Sequence, residues 1–330
     1  MRAVQICAYD GKPESISLAE LPVPRPGSGQ VLVRVSASPI NPSDLMFLRG
    51  VYGFKKPLPA VPGFEGSGTV VESGGGTMSR FLKGRRVACA AVDPKSSHGM
   101  WAEYVVTSAK SCIPLSKGVT MEQGAMMLVN PLTAWALVDT ARRGHHKAIV
   151  QTAAASALGK MVVKLGRKFS IPVINVVRRV EQVSILEAMS AENVLNSNDE
   201  GFDRNLKKLC HDLGATIGFE AVSGEMSGRI LRAQPDGSEL LVYGALSLSA
   251  TQIDPMSLIF EGKRVRGFWL SEWLRHLNVV SQVKIGRHVQ GLLGDDLKTE
   301  IHARLPLEQV GSALEQYAAN MTSGKILLMP

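Results

Sequence analysis

The stretch Gly50-Val51-Tyr52-Gly53-Phe54-Lys55-Lys56-Pro57-Leu58-Pro59-Ala60-Val61-Pro62-Gly63-Phe64-Glu65-Gly66-Ser67-Gly68 sets very few groups that could handle a proton, one phenol and one carboxylate included, among eight Gly and Pro residues. A phenol with its free pKa of ~10 stays protonated at neutral pH and can donate a proton. Without further context, a loop tyrosine such as Tyr52 is more often a packing residue. A second chemical signal lies in Gln151-Thr152-Ala153-Ala154-Ala155-Ser156-Ala157-Leu158-Gly159-Lys160. A dinucleotide fingerprint places glycines at three positions of such a strand-to-helix loop, for the turn, for pyrophosphate approach and for helix packing. Only Gly159 is kept here, yet small residues from Ala153 to Ala157 still let backbone amides reach a pyrophosphate at a helix N-terminus. The strand that follows, Val173-Ile174-Asn175-Val176-Val177, ends on Arg178-Arg179. An acidic residue there would hold a ribose 2′-hydroxyl, whereas a guanidinium suits a 2′-phosphate, so the expected cofactor is NADPH.

These residues need elements to hold them. At 330 residues the chain is about twice the usual single-domain length, which predicts two domains. From Met1 to about Ser111, short β-like runs (Ile16 to Leu18, Gln30 to Ala37, Gly66 to Glu72, Arg86 to Ala90, Trp101 to Val106) are broken by Gly and Pro, the texture of an antiparallel, barrel-like domain. After Lys117 apolar strands alternate with helical periodicity. Met121 to Ala141 reads as one or two helices, His146 to Thr152 and Pro172 to Val177 as strands, and Ala157 to Lys168 and Glu181 to Met189 as helices. Thr216 to Glu220, a helix through Ile230, Leu240 to Tyr243 and Arg264 to Leu270 follow. That alternation implies right-handed βαβ units on a parallel sheet. The tail ends in a helix, Leu307 to Met321, and a strand, Lys325 to Met329, which must return to the first domain to find a pairing edge. The expected domains are 1–117, 118–270 and a returning segment 271–330.

A hydrophobic fraction of 45% with 20% charged residues fits an ordinary globular protein. The net charge of +8 is scattered in short groups and aromatics are only 5%, which argues against a nucleic-acid surface and suits anionic small molecules. No apolar run approaches the ~20 residues of a membrane span and the N-terminus lacks a signal-peptide core, so a cytoplasmic location is expected. Cys7, Cys89, Cys112 and Cys210 lie far apart, giving neither a disulfide framework nor a thiolate zinc site.

Asn41-Pro42-Ser43-Asp44, Gly63-Phe64-Glu65-Gly66, Asn130-Pro131-Leu132-Thr133-Ala134-Trp135 and Gly324-Lys325-Ile326-Leu327-Leu328 resemble the medium-chain dehydrogenase/reductase superfamily over essentially the whole chain. Gly50-Val51-Tyr52-Gly53, Asn175-Val176-Val177-Arg178, Leu258-Ile259-Phe260 and Arg266 to Trp273 look like the mitochondrial-type trans-2-enoyl thioester reductases within it. The resemblance implies an α/β fold: a GroES-like β-rich catalytic domain with an inserted Rossmann dinucleotide-binding domain, usually as a homodimer. Zinc-dependent members carry His before the glutamate and Cys within the place of Asn41 to Ser43. Phe64 and the absence of that Cys here leave no convergent set of three ligands.

The resemblance assigns Tyr52 as proton donor and puts Asn130 and Thr133 beside the nicotinamide ring and ribose. It puts Ser156, Ala157 and Leu158 on the pyrophosphate, Arg178 and Arg179 on the 2′-phosphate, and Tyr243, Gly244, Ala245, Phe268, Trp269, Leu270 and Ser271 around the nicotinamide. Asn41 is assigned to the substrate pocket, while Trp101, like Trp269, is read as a pocket wall or simply core. Ala157 replaces the family's glycine, a methyl that would lengthen the pyrophosphate contacts. The family's lysine near the C-terminus falls beside Lys325 rather than on it, so Lys325 stays outside the set, and Glu65 reads as a structural group. The implied chemistry is hydride transfer from NADPH to the β-carbon of a 2-enoyl thioester (CoA or acyl carrier protein), with the enolate oxygen held by hydrogen bonds. The alternatives are a quinone or alkenal reductase of the same fold, which needs no side-chain acid, and an NADPH-binding protein without turnover.

Overall fold

The structure, a computed structural model, describes residues 1–330 and divides into two compact units, Met1–Asn130 with Gly286–Pro330, and Pro131–Ile285. The first unit holds strands β1 (Arg2–Ile6), β2 (Ile16–Glu20), β3 (Gln30–Pro39), β4 (Glu65–Ser73), β5 (Arg86–Ala90), β6 (Tyr104–Ser108) and β7 (Cys112–Pro114). The second holds β8 (Ile149–Gln151), β9 (Val173–Val177), β10 (Val194–Asn196), β11 (Ile217–Glu220), β12 (Glu239–Val242) and β13 (Arg264–Gly267). The chain then re-enters the first with β14 (Ile301–Pro306) and β15 (Lys325–Met329).

In the first unit β1 and β2 form a two-stranded antiparallel ribbon, and the larger sheet runs β14-β15-β3-β4-β5-β7 with β6 also on β3. The β-branched run of β3 is buried along most of its length, as expected of the strand on which the others assemble. The tail does return: Leu327 and Leu328 of β15 pair with Pro39 and Ser38 of β3. The helix Met121–Ala125 packs on β3 and β4, and Gln290 hydrogen-bonds Ser116 and Pro114 through its side chain at 2.9 and 3.1 Å. Those contacts hold residues beyond 117 and beyond 285 to the first unit, so the divisions fall later in the chain than the change in sequence texture.

The second unit is a six-stranded parallel sheet in the order β10-β9-β8-β11-β12-β13. Counted from β8, this is the 3-2-1-4-5-6 order of a Rossmann sheet, whose chain reversal lies between β8 and β11. The helix Ala157–Lys168 matches its expected span, and strand β9 and the helix Val180–Ala188 differ by a residue at their ends. Elements unread in the sequence are also present, β10 and the helix Phe202–Leu213 among them. β10 joins the edge of the sheet, and the helix Phe202–Leu213 runs between left-handed glycines Gly201 (φ 80) and Gly214 (φ 65). Arg264 to Leu270 was expected as one strand, but β13 stops at Gly267 and Leu270 opens a short helix, Leu270–Arg275.

One close packing in the first unit depends on a missing side chain. Gly63, just before Phe64, has φ +92, and a Cβ there would lie 2.4 Å from Trp101 Cδ1. The Gly63→Ala variant should therefore lose about 2 kcal/mol or more, from left-handed strain plus overpacking. A fall of several degrees in the thermal midpoint checks this.

Candidate functional site

Tyr52 lies in the loop after the helix Pro42–Leu48, and both sides of it are fixed. The helix ends in a Schellman motif: Gly50, at φ 70, donates to Phe47 O at 2.9 Å, and Val51 donates to Met46 O at 3.0 Å. On the far side the Tyr9 hydroxyl clasps residue 56, donating to Lys56 O and accepting from Lys56 N, both at 2.7 Å. The buried Lys56 ammonium donates to Ala91 O at 2.8 Å and to His98 O, tying the loop to the segment after β5. Burial lowers that ammonium to about 8. The half-buried Tyr52 ring rests against Phe64 and Phe54, with centroid separations of 4.6 and 5.2 Å.

Beneath this loop runs a chain of fully buried polar groups. Asn41 stands at the N-cap of the helix Pro42–Leu48 and Asp44 reaches back to it: Asp44 Oδ2 accepts from Asn41 N at 2.8 Å and Asp44 Oδ1 accepts from Phe64 N at 3.2 Å. The Asn41 side-chain amide donates to Glu65 Oε1 at 2.9 Å, and Glu65 Oε2 accepts the amides of Leu128 and Val129 at 2.8 and 2.9 Å. Asn41 Oδ1 accepts from Lys325 Nζ, which also donates to Ile40 O at 3.1 Å and to the Tyr317 hydroxyl at 3.0 Å. All three ammonium protons thus have acceptors. Burial pushes the Asp44 and Glu65 carboxyls up to about 7, opposed by the N–H groups they accept and by the Lys325 charge, and pushes the Lys325 ammonium down to about 8, opposed by the two carboxylates. Burial, then the two carboxylates, raises the Tyr317 phenol.

Lys325 is therefore central to a network from which the sequence reading omitted it. The available signal was a lysine opening an otherwise apolar strand, Lys325-Ile326-Leu327-Leu328-Met329. Asn41 is 0% exposed with its side-chain oxygen and nitrogen both engaged, and Trp101 is 0% exposed in the core with Nε1 donating to Pro39 O at 3.4 Å. Neither presents surface to a pocket. Asn130, also buried, is the first residue of the helix Asn130–Arg143 and directly follows the amides held by Glu65.

In the second unit, most of the expected cofactor residues follow the ends of strands in the chain. Ser156 caps the helix Ala157–Lys168, its hydroxyl accepting from Gly159 N at 3.1 Å. The first i→i−4 bond runs from Lys160 to Ser156 O, so the amides of Ala157 and Leu158 stand ahead of the helical ladder. Gly159 is the one fingerprint glycine the geometry requires, because a Cβ there would meet Ala154 O at 2.4 Å. Ala153 takes the turn at φ 50 with no glycine to ease it. Beneath the loop, the buried Gln151 side chain donates to Gly159 O at 3.1 Å and Asn175 Oδ1 at 2.8 Å. The free first-turn amides and the small loop residues fit a pyrophosphate.

Arg178 and Arg179 follow β9, both exposed; partly buried Tyr243, Gly244 and Ala245 follow β12; Phe268, Trp269, Leu270 and Ser271 follow β13. Buried Thr133 sits in the first turn of the helix Asn130–Arg143. The sequence reading left out Glu220, the buried end of β11. Its Oε1 accepts from Thr152 Oγ1 at 3.0 Å and Val222 N at 2.7 Å, and its Oε2 accepts from Ser223 N and Ser227 Oγ, both at 2.8 Å. This carboxylate fastens the ends of β8 and β11 together at the reversal of the sheet. Its sequence signal was an acid closing an apolar strand, with Ser223 and Ser227 just beyond.

No group of three or more His, Cys, Asp or Glu side chains gathers in a way that could hold a metal ion. No helix is long and apolar enough to cross a membrane.

An antiparallel β-rich unit and a doubly wound parallel sheet with small-residue loops at its strand ends together describe a two-domain dehydrogenase architecture. Sequence profiles agree: the alcohol dehydrogenase GroES-like domain matches residues 27–117 and the zinc-binding dehydrogenase domain matches residues 157–283. The mitochondrial enoyl-[acyl-carrier-protein] reductase of Arabidopsis thaliana is 32% identical over 93% of this chain and 82% of its own length. The human protein of the same name is 27% identical over 98% and 87%. A solved structure, a candidate NADPH:quinone reductase from Mesorhizobium loti, superposes with a TM-score of 0.93 at 34% identity, covering 100% of this chain and 98% of that one. The chain belongs to the medium-chain dehydrogenase/reductase superfamily, in its zinc-independent branch, and is an oxidoreductase.

Glu65 gives the first unit a measurable pH dependence. Its carboxyl rises from 4.5 to about 7 on burial, so between those values the native state keeps a proton that the unfolded chain has released. The stability linked to that proton is fully present below pH 4.5 and is lost as pH rises through about 7. Glu65→Gln removes that share, so the thermal midpoint of the variant should fall less than that of the parent between about pH 5 and pH 7. Equal slopes in the two proteins would contradict the assignment.

Proposed function

We propose that this oxidoreductase reduces the C=C bond of 2-enoyl thioesters, carried on CoA or acyl carrier protein, using NADPH, with Tyr52 as proton donor. The observation that carries the reading is the loop of Tyr52: one phenol held by a helix cap on one side and by the Tyr9–Lys56 clasp on the other. Bound NADPH would supply the hydride. The chain's own work is to hold that cofactor and deliver the proton. The amides of Ala157 and Leu158 bind the pyrophosphate, and Arg178 with Arg179 binds the 2′-phosphate bidentately. The Glu220–Thr152 link keeps the strand ends in register for Tyr243 to Ala245 and Phe268 to Ser271, which with Thr133 and Asn130 surround the nicotinamide. The Tyr52 phenol donates to the α-carbon as charge builds on the thioester.

Reduction of a quinone is the second reading, favoured by the 34% identity to the Mesorhizobium loti protein described as a candidate NADPH:quinone reductase. It needs no acid from the chain, which separates the two. Purified protein should oxidise NADPH faster than NADH with crotonyl-CoA or a longer 2-enoyl thioester, and Tyr52→Phe should lower that rate by at least ~10²-fold. Turnover of small quinones but not thioesters, unaffected by Tyr52→Phe, would support the second reading instead.

We also infer a homodimer. β13 is an edge strand of the parallel sheet, and on the segment before it Ile259 and Phe260 are 64% and 78% exposed. An open edge beside exposed large apolar side chains is a ready surface for a second copy. Sedimentation should give a dimer for the parent chain and a monomer for Phe260→Asp; a monomeric parent would refute this.

A further inference from the structure

The Tyr52 phenol has no secondary structure of its own to aim it, since it stands in a bend between a capped helix and residue 56. What its ring does have is an aromatic base. Phe64 is 2% exposed, and its ring meets that of Tyr52 at 4.6 Å with an interplanar angle of 34°. Phe54 meets Tyr52 edge-on at 5.2 Å and 78°, and Phe54 and Phe64 are themselves 5.6 Å apart. Phe64 in turn leans on Phe47, fully enclosed in the core, at 5.3 Å and 70°, and Phe47 meets Tyr9 at 5.2 Å. Tyr9 is the residue whose hydroxyl clasps Lys56, so ring contacts and backbone clasp close into one support around the loop.

Phe64 itself cannot shift easily. Its amide donates to Asp44 Oδ1 at 3.2 Å, its carbonyl accepts from Ala91 N at 2.9 Å, and it directly precedes Glu65 with its three fixed hydrogen bonds. A proton donor must be held to within fractions of an ångström of its target, by neighbours whose own rotamers are locked.

We propose that Phe64 is a positioning residue for the Tyr52 phenol, with Phe54 as its second support. The side chain that stands where zinc-dependent relatives carry a histidine supplies instead the face on which the proton donor's ring rests. This inference rests on the reading of Tyr52 as proton donor, and the test separates the two.

The experiment is a double-mutant cycle on crotonyl-CoA reduction with NADPH, using Phe64→Leu, Tyr52→Phe and the double variant, with Phe54→Leu as a parallel arm should Phe64→Leu fail to fold. Phe64→Leu should lower kcat by about twofold to tenfold, the span of one aromatic pair, while KM for NADPH stays unchanged. In the Tyr52→Phe background the same substitution should lower kcat no further, because Phe64 acts only through the phenol. Phe54→Leu should behave in the same way. An equal loss in both backgrounds, a rise in KM for NADPH in place of a fall in kcat, or an unchanged kcat overturns the role of Phe64. If Tyr52→Phe alone leaves turnover intact, the proton-donor reading itself falls, a result distinguishable because it needs no Phe64 variant.

Discussion

The ammonium of Lys325 and the carboxylates of Asp44 and Glu65 are shut away from water in the same unit, an arrangement that is unfavourable unless every charge is matched by partners. Lys325 has three acceptors, Glu65 three N–H donors and Asp44 two backbone amides, and the Asn41 side chain joins cation to anion by offering its oxygen to one and its nitrogen to the other. An asparagine can do this because its amide carries an acceptor and a donor side by side. Residues 40, 41, 44, 64, 65, 128, 129, 317 and 325 are held in one arrangement, and the loop of Tyr52 stands on it. Taking away one member leaves a buried charge or a buried polar atom without its partner, so the network stands or falls as a whole.

The second unit solves a related problem differently. A parallel sheet ends in a row of loops that must approach a ligand closely, and their flexibility would blur the site. Here single buried side chains tie neighbouring strand ends together. Glu220 links β11 to Thr152 beyond β8, and Gln151 links β8 to Asn175 of β9 and to the first turn of the helix after it. These links stiffen the loop after β8 although two fingerprint glycines are absent. The remaining glycine, Gly159, is kept where a methyl would collide with the backbone, whereas the turn itself is made by Ala153 at positive φ. The loop departs from the usual pattern where substitution is tolerable and keeps it where it is not.

Much of this was legible in the sequence. The helix Ala157–Lys168 and the strands β5 and β15 coincide with their expected spans, because apolar periodicity reports burial directly. The pairing of β15 with β3 follows from the need of a terminal strand for an edge. The helix Phe202–Leu213 escaped although Phe202, Leu206 and Cys210 recur at helical spacing, because its charged residues dilute the apolar signal. β14 escaped for a related reason: its alternation sets His302 and Arg304 on the exposed side, but the inward residues Ile301, Ala303 and Leu305 are only half-buried. Lys325 and Glu220 were hard to foresee for a stronger reason. A charge in an apolar strand reads as a surface feature unless its partners are known, and the deciding ones lie far away in the chain, Ile40 and Asn41 for Lys325 and Thr152 for Glu220. The one-dimensional pattern gives burial and period, while polar matching is decided by tertiary neighbours.

The place of β15 also dictates an order of events during synthesis. The strand bearing Lys325 leaves the ribosome after the whole of the second unit, so the nascent first unit has Asp44 and Glu65 in hand long before their counter-ion exists. Pro131–Ile285 forms a continuous stretch and can condense as soon as it emerges, while the surrounding unit must wait for the last strand to complete both its sheet and its charge balance. The chain therefore closes from the inside outward in time, its first-made strands completed by its last.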